Sequence, residues 1–167
     1  SVPDFAILWV PFAIIKGLRV IRKEQVSIIL SSSPPVSVHI IASVLSRLTN
    51  RPHIVDMRDL WILNHNYNQR GYPDYFKRYD SLWERFVLKK AAIISTASPG
   101  FSDQMQNHLD GVLRGKVFTI TNGFDYGEVD LSEETAIDKH CLRILYTGSI
   151  YSHFNPVFFL ESMADWL

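Results

Sequence analysis

Apolar positions along this chain follow two alternating spacings, one near 3.6 residues and one in short β-branched runs. From Ala13 to Glu24, Ile14, Ile15, Leu18 and Ile21 share one helical face, while Lys16, Arg19 and Lys23 fall elsewhere. A strand is predicted over Val26–Leu30, closed by Ser31-Ser-Ser-Pro-Pro35. Helical spacing returns over Val36–Thr49, with Ile40, Ile41, Val44, Leu45 and Leu48 apolar. The pattern then predicts a strand at Pro52–Val55, a helix at Asp80–Ala91, a strand at Ala92–Ser95 and a helix at Ser102–Leu109. Val117–Ile120 reads as a fourth strand and Leu142–Tyr146 as a fifth, and Asn155-Pro156 opens a terminal helix. Residues 64–75 form a loop rich in Asn and Tyr. The acidic stretch Tyr126–Lys139 lacks apolar periodicity and reads as a linker.

Strands alternating with helices imply right-handed crossovers and an α/β fold: a Rossmann-like parallel sheet with helices on both faces. In such sheets, ligands bind beyond the carboxyl ends of the strands. The less ordinary residues follow strands: Ser31–Pro35, Asp56–Trp61, Thr96–Gly100, Asn122–Asp125 and Gly148–Tyr151. A parallel sheet brings all five sets to one rim.

Composition narrows the function classes. Seventeen basic and seventeen acidic residues cancel, which removes the global field that would gather nucleic acid. One cysteine, Cys141, has no internal disulfide partner and fits a reducing compartment. The stretch 5–15 is the most apolar, but it is about half the length of a membrane span, and Pro11 interrupts it. The chain opens Ser-Val-Pro-Asp without a basic-then-apolar leader, so no signal peptide is expected. The absent initiator Met, the ending at Trp166-Leu167 and the apolar Phe158, Phe159, Leu160 and Met163 suggest a piece of a longer protein.

The densest chemistry is Asp56-x-Arg58-Asp59-x-Trp61. Burying an unpaired charge costs several kcal/mol, so these groups are either paired with one another or meeting a ligand. A carboxylate beside an arginine stays ionised and suits orienting, or taking a proton from, a sugar hydroxyl; the competing reading is an Arg58 clamp between loops. Ser32 and Ser33, ahead of a helix, offer hydroxyls at an anion or sugar-hydroxyl site, or simply cap the helix. Asn122-Gly123 is by itself a turn signal, and Gly148-Ser149 after a strand permits close backbone approach to a ligand. His65, His108 and His140 read as surface or loop residues and His39 as a cap or core contact, with no metal-ligand spacing among them. From Tyr67 to Lys90, aromatic residues interleave with Arg70, Lys77, Arg78, Arg85, Lys89 and Lys90. This is either a patch for anionic lipid or an amphipathic acceptor, or an amphipathic helix with a solvated basic face.

The order of these features resembles the retaining GT-B glycosyltransferases of group 1, the GT4-like family. Six features carry the resemblance: Pro3-Asp4 with Trp9; Ser32-Ser-Pro-Pro35 before a helix; Asp56-x-Arg-Asp-x-Trp61; a Glu84 helix ending Lys90-Ala91; Thr121-Asn-Gly-Phe-Asp125; and Tyr146-Thr-Gly-Ser-Ile-Tyr151. The resemblance implies an enzyme of two facing Rossmann-like domains. Here these would be an acceptor-side domain over 1–127 lacking its first strands, a linker over 128–140, and the first strand and helix of the donor domain over 141–167. It implies a nucleotide-diphosphate sugar as co-substrate, no metal or other cofactor, and transfer to a glycan or lipid-linked acceptor in surface polysaccharide synthesis. It gives Asp59 and Arg58 catalytic roles and Ser32, Ser33, Asp56, Asn122, Gly123, Gly148 and Ser149 substrate-binding ones. It also implies a cytoplasmic enzyme with peripheral contact at the inner membrane and no nucleic-acid partner. By itself, the stretch present here is expected to be inactive and to self-associate. The basic residues that relatives carry after the Gly148 motif are not evident. The alternatives are a non-catalytic α/β binding or assembly module, and a sugar-nucleotide 2-epimerase relative.

Overall fold

The computed structural model describes residues 3–64, 67, 71–125, 143–148 and 155–166. The chain divides into two compact units, Ser1–Phe124 and Asp125–Leu167. The first is α/β, a parallel sheet flanked by helices and Rossmann-like in character.

A 3-10 turn, Ile7–Trp9, leads into helix α1, Val10–Lys23, which carries Pro11 in its first turn, where no backbone N–H is needed. Strand β1, Ile29–Ser33, helix α2, Ser37–Thr49, and strand β2, His53–Met57, follow. Asn50 ends α2 in the left-handed region at φ 53°, a conformation Asn tolerates better than most residues. Next come helix α3, Asp74–Lys90, strand β3, Ile93–Thr96, helix α4, Pro99–Asn107, and strand β4, Val117–Thr119. Ser98 caps α4, its Oγ accepting from the Phe101 N–H at 3.3 Å.

All neighbouring strands pair in parallel, in the order β1-β2-β3-β4. A sheet that grows strand by strand in one direction through right-handed crossovers places each crossover on the same face. The burial agrees. Ile29, Ser31 and Ser33 of β1, level with His53, Val55 and Met57 of β2, are buried. Val55, Met57, Ile94 and Val117 join Ile40 of α2, Val87 and Leu88 of α3 and Met105 of α4 in one core. A smaller core packs Ile21 of α1 against Ile29 and Ile41, Ala42 and Leu45 of α2. There Gly17 lies close against α2: a Cβ would stand 2.6 Å from Leu45 Cδ1, and the Leu45 side chain would have to shift. On the opposite face of the sheet, Leu30, Ile93 and Phe118 are exposed.

Element boundaries shift from the sequence reading, most consequentially in β1 and α3. Strand β1 begins and ends three residues later than predicted, so the serines lie within the strand, level with Val55, Asp56 and Met57. The hydroxyls of Ser31 and Ser32 find partners on adjacent elements, and that makes these serines tolerable in a sheet. Helix α3 begins at Asp74, six residues before the predicted Asp80, because its outward positions are aromatic and its inward ones include Asp80 and Glu84, which masks the usual periodicity.

In the second unit, residues 143–147 form no strand; Ile144, Leu145 and Tyr146 are exposed, with no partner strand among the described residues. Helix α5, Val157–Trp166, is present, its first turn closed by the Asn155 Oδ1 accepting from the Val157 N–H at 3.0 Å. Its Phe158, Phe159 and Leu160 are exposed. The predicted linker, Ser149 and Cys141 lie outside the described residues.

Candidate functional site

The loops after β1, β2, β3 and β4 share the carboxyl rim of the sheet, as parallel pairing demands. At this rim a cavity of about 490 Å³ opens between the β1–α2 connection, the segment after β2 and the N-terminal residues. Ser33, Pro34, Pro35 and Val36 form one wall, and Asp59, Leu60, Trp61 and Asn64 form another. Pro3, Asp4, Phe5, Tyr67 and Tyr72 complete it. The lining includes two aspartates and no lysine, arginine or histidine.

Ser33 is almost fully buried, and its Oγ has no hydrogen-bond partner. A buried hydroxyl left unsatisfied costs on the order of 1–3 kcal/mol, and the residue that carries this one lines the cavity. Asp59 is exposed at the cavity wall, and among the described residues no group hydrogen-bonds to its carboxylate. Trp61, nearly buried, and Tyr67 give the cavity flat apolar surfaces, and Tyr67 and Tyr72 lie 5.6 Å apart between ring centres.

The charged cluster after β2 divides by residue. Asp56 is tied within the sheet: it accepts from Ser32 Oγ at 2.6 Å and from Ser95 Oγ at 2.7 Å, bridging β1 and β3. Ser32 and Asp56 therefore brace the sheet, and neither lines the cavity. Arg58 was expected to face a carboxylate, Asp56 or Asp59. Instead its Nε donates to the Ser33 carbonyl at 3.3 Å, and no ion pair to it occurs among the described residues. The Asp56 carboxylate is instead directed at Ser32 and Ser95, which stand level with it on the neighbouring strands. The anion site foreseen at the start of α2 is filled from within the chain: Asp4 Oδ2 accepts from the Ser37 N–H at 2.7 Å, and its Oδ1 from the Ala6 N–H at 2.8 Å. Asn122 and Gly123 follow β4, exposed and outside the cavity lining. Gly148 belongs to the second unit.

Beneath the rim lies a buried chain of polar groups that sequence inspection does not assemble. Ser31 Oγ stands 2.6 Å from His39 Nδ1 and 2.7 Å from His53 Nε2, and His53 Nδ1 is 3.2 Å from Ser43 Oγ. Ser31 has one proton, so at most one imidazole accepts from it and at least one donates to it. His39 Nε2 has no partner. An unpartnered buried acceptor costs less than an unpartnered N–H, so the favoured chain runs His39 Nδ1–H to Ser31, Ser31 O–H to His53, and His53 Nδ1–H to Ser43. Burial holds His39 down to about 3, helped by the neighbouring His53. Burial and the Arg47 charge hold His53 down to about 4. Both rings are neutral at pH 7.

A second buried cluster supports the cavity wall. Tyr67 O–H donates to Asp80 Oδ2 at 2.6 Å. Burial raises the Asp80 pKa, the Tyr67 hydrogen bond opposes that rise, and the nearby Glu84 adds to it. Burial, followed by the bond to Asp80, pushes the Tyr67 hydroxyl up. Glu84, fully buried, accepts from the Ile62 N–H at 3.2 Å and lies 2.7 Å from His108 Nε2. His108, half-buried in the turn after α4, is thus a partner of α3.

No protein-family model matches the chain, and no curated protein matches it.

Proposed function

We propose that this chain carries the acceptor-holding domain of a GT-B-type glycosyltransferase, which moves a sugar from a nucleotide-diphosphate donor to a glycan hydroxyl. The observation that carries the reading is the cavity at the carboxyl rim, lined by Ser33, by the exposed Asp59 and by aromatic rings. Sugars present hydroxyls on their edges and C–H groups on their faces, and this lining answers both.

In this reading Asp59 accepts a hydrogen bond from the acceptor hydroxyl and takes its proton. The acceptor oxygen forms the new bond to the anomeric carbon, and the diphosphate leaves with the electron pair of the broken C–O bond. Arg58, exposed at the same rim, supplies positive charge toward that leaving group. Asn122, Gly123, Gly148 and Ser149 keep the substrate-binding roles that the resemblance assigns them.

One observation favours the non-catalytic module: Asp56 is consumed in bridging strands, and Arg58 is anchored on a backbone carbonyl. The test is nucleotide release from UDP-, GDP- and dTDP-sugars by the gene product containing this chain, wild type against Asp59→Asn. Release that falls at least tenfold with donor affinity retained supports transfer. No release with any donor, alongside glycoside binding to this domain by ligand-observed NMR, leaves the binding module.

A further inference from the structure

The rim cavity carries charge of one sign. Among the described residues its lining holds two carboxylates, Asp4 and Asp59, and no lysine, arginine or histidine. Asp59 is exposed there, whereas Asp4 accepts from the backbone N–H groups of Ala6 and Ser37. Four aromatic residues, Phe5, Trp61, Tyr67 and Tyr72, line the same space, and the last two stand 5.6 Å apart between ring centres. Tyr67 offers its ring rather than its hydroxyl, because the O–H donates at 2.6 Å to Asp80, a buried residue outside the lining.

This combination is hostile to an anion. A phosphate or a uronate would meet two carboxylates. The seat a helix start would give it is occupied at α2, where Asp4 accepts from the Ser37 N–H. Arg58 stands at the same rim but outside the lining, its Nε donating to the Ser33 carbonyl. An organic ammonium meets the opposite conditions: a carboxylate to pair with, and ring faces whose negative quadrupole attracts a cation. A carboxylate also has two oxygens, so Asp59 can hold an ammonium through one and an adjacent sugar hydroxyl through the other. The second contact is the one that proton abstraction from an acceptor requires.

We infer that the rim cavity selects a ligand bearing a protonated amine, the ammonium lying between Asp59 and the aromatic wall. The sugar part of the inference rests on the acceptor role proposed above. On that reading the acceptor is an amino sugar whose amine is free, and a phosphorylated or uronic acid sugar is rejected at this cavity.

The test is ligand-observed NMR titration of the whole chain at about pH 6.5, where the amine is protonated. The probes are the methyl glycosides of glucosamine, N-acetylglucosamine, glucose and glucuronic acid, with tetramethylammonium as a cation that carries no sugar. The glucosamine glycoside is expected to bind about tenfold tighter than the two neutral ones, the general strength of an exposed ion pair joined to a cation–π contact. The glucuronide is expected to show no binding, and the amine preference to fall as salt rises. Asp59→Asn should cut that preference about threefold. The melting curve should not move, because Asp59 is exposed and no described side chain depends on it. Amine and neutral glycosides that bind alike overturn the inference and leave the acceptor reading standing, as does a preference that Asp59→Asn retains in full. A glucuronide that binds as tightly as the amine overturns it too. Tetramethylammonium binding that Asp59→Asn weakens, with no glycoside bound, supports the ammonium site and removes the acceptor reading. No binding by any probe overturns both.

Discussion

Acidification should unfold this protein through the two buried histidines. His39 and His53 have the usual imidazole value near 6.5 when the chain is unfolded and are held to about 3 and about 4 when it is folded. Both shifts are downward, so the unfolded state binds more protons than the native state below pH 6.5. Stability is full above that value and is lost as pH falls toward 4. Integrating the linkage for one such group gives about 1.4 kcal/mol lost between pH 7.5 and 5.5. Two groups give about 3 kcal/mol at pH 5.5 and about 4 kcal/mol at pH 5, a large part of an ordinary domain's stability. The structural cause is burial: a second proton on His39 would sit on Nε2, which has no partner, and one on His53 would set its Nε2–H against the Ser31 O–H. Asp80 acts in the opposite sense, since its raised pKa adds stability as pH falls through its range. Measurements are therefore best kept above pH 5. The assay is urea unfolding at half-unit steps from pH 7.5 to 5, for wild type and His39→Leu. The variant leaves Ser31 bonded to His53 and should show about half the pH slope. A stability that stays flat over this range, or a variant with the full slope, refutes the account.

Other substitutions isolate single contacts. Glu84→Ala strips the partner from the Ile62 N–H and from His108 at once and should cost at least about 1–3 kcal/mol in urea unfolding, the range for a buried polar group left unsatisfied. Tyr67→Phe keeps the ring but leaves Asp80 without its hydrogen-bond donor; a loss of about 1–3 kcal/mol is expected. Gly17→Val forces α1 away from Leu45 and should lower stability by about 1–3 kcal/mol, read as a drop in Tm.

What the sequence makes legible is what local periodicity controls. The centres of the four strands and of helices α1 to α4 follow from β-branched runs and 3.6-residue spacing. What stays hidden depends on partners far along the chain. A serine run reads as a loop until His39, His53 and Asp56 stand across from it. The start of α3 is obscured because its outward aromatics imitate a buried face and its buried acids imitate an exposed one. Ser33, Asp59 and Trp61 of the cavity could be named from their position after strands. Tyr67 and Tyr72 could not, because the Tyr67 bond to Asp80 and the folding back of that segment are tertiary events. Histidine was the least legible type. One residue after a short helix proved to be the partner of Glu84, and two others form a polar relay that has no sequence spacing of its own.

The charged motif after β2 also shows why spacing alone misjudges a site. Alternate residues of a strand point to opposite faces. Asp56, level with Ser32 and Ser95, takes the sheet face opposite the main core, where those two hydroxyls hold it. Asp59, beyond the strand's end, instead joins Ser33 in the wall of the cavity. Two carboxylates three positions apart therefore have separable tasks, and substitution should separate them. Asp56→Ala removes two hydrogen bonds to a charged group and leaves Ser95, itself buried, without its acceptor; the expected loss is about 1–3 kcal/mol in urea unfolding. Asp59→Asn should leave the unfolding midpoint where it is, because no described side chain depends on that carboxylate. The same variant should weaken glycoside binding measured by ligand-observed NMR, since the amide offers one acceptor oxygen in place of two and no charge. If Asp59→Asn destabilises the fold as much as Asp56→Ala, the carboxylate at the rim is structural. The cavity then loses the one ionised group on which its proposed chemistry depends.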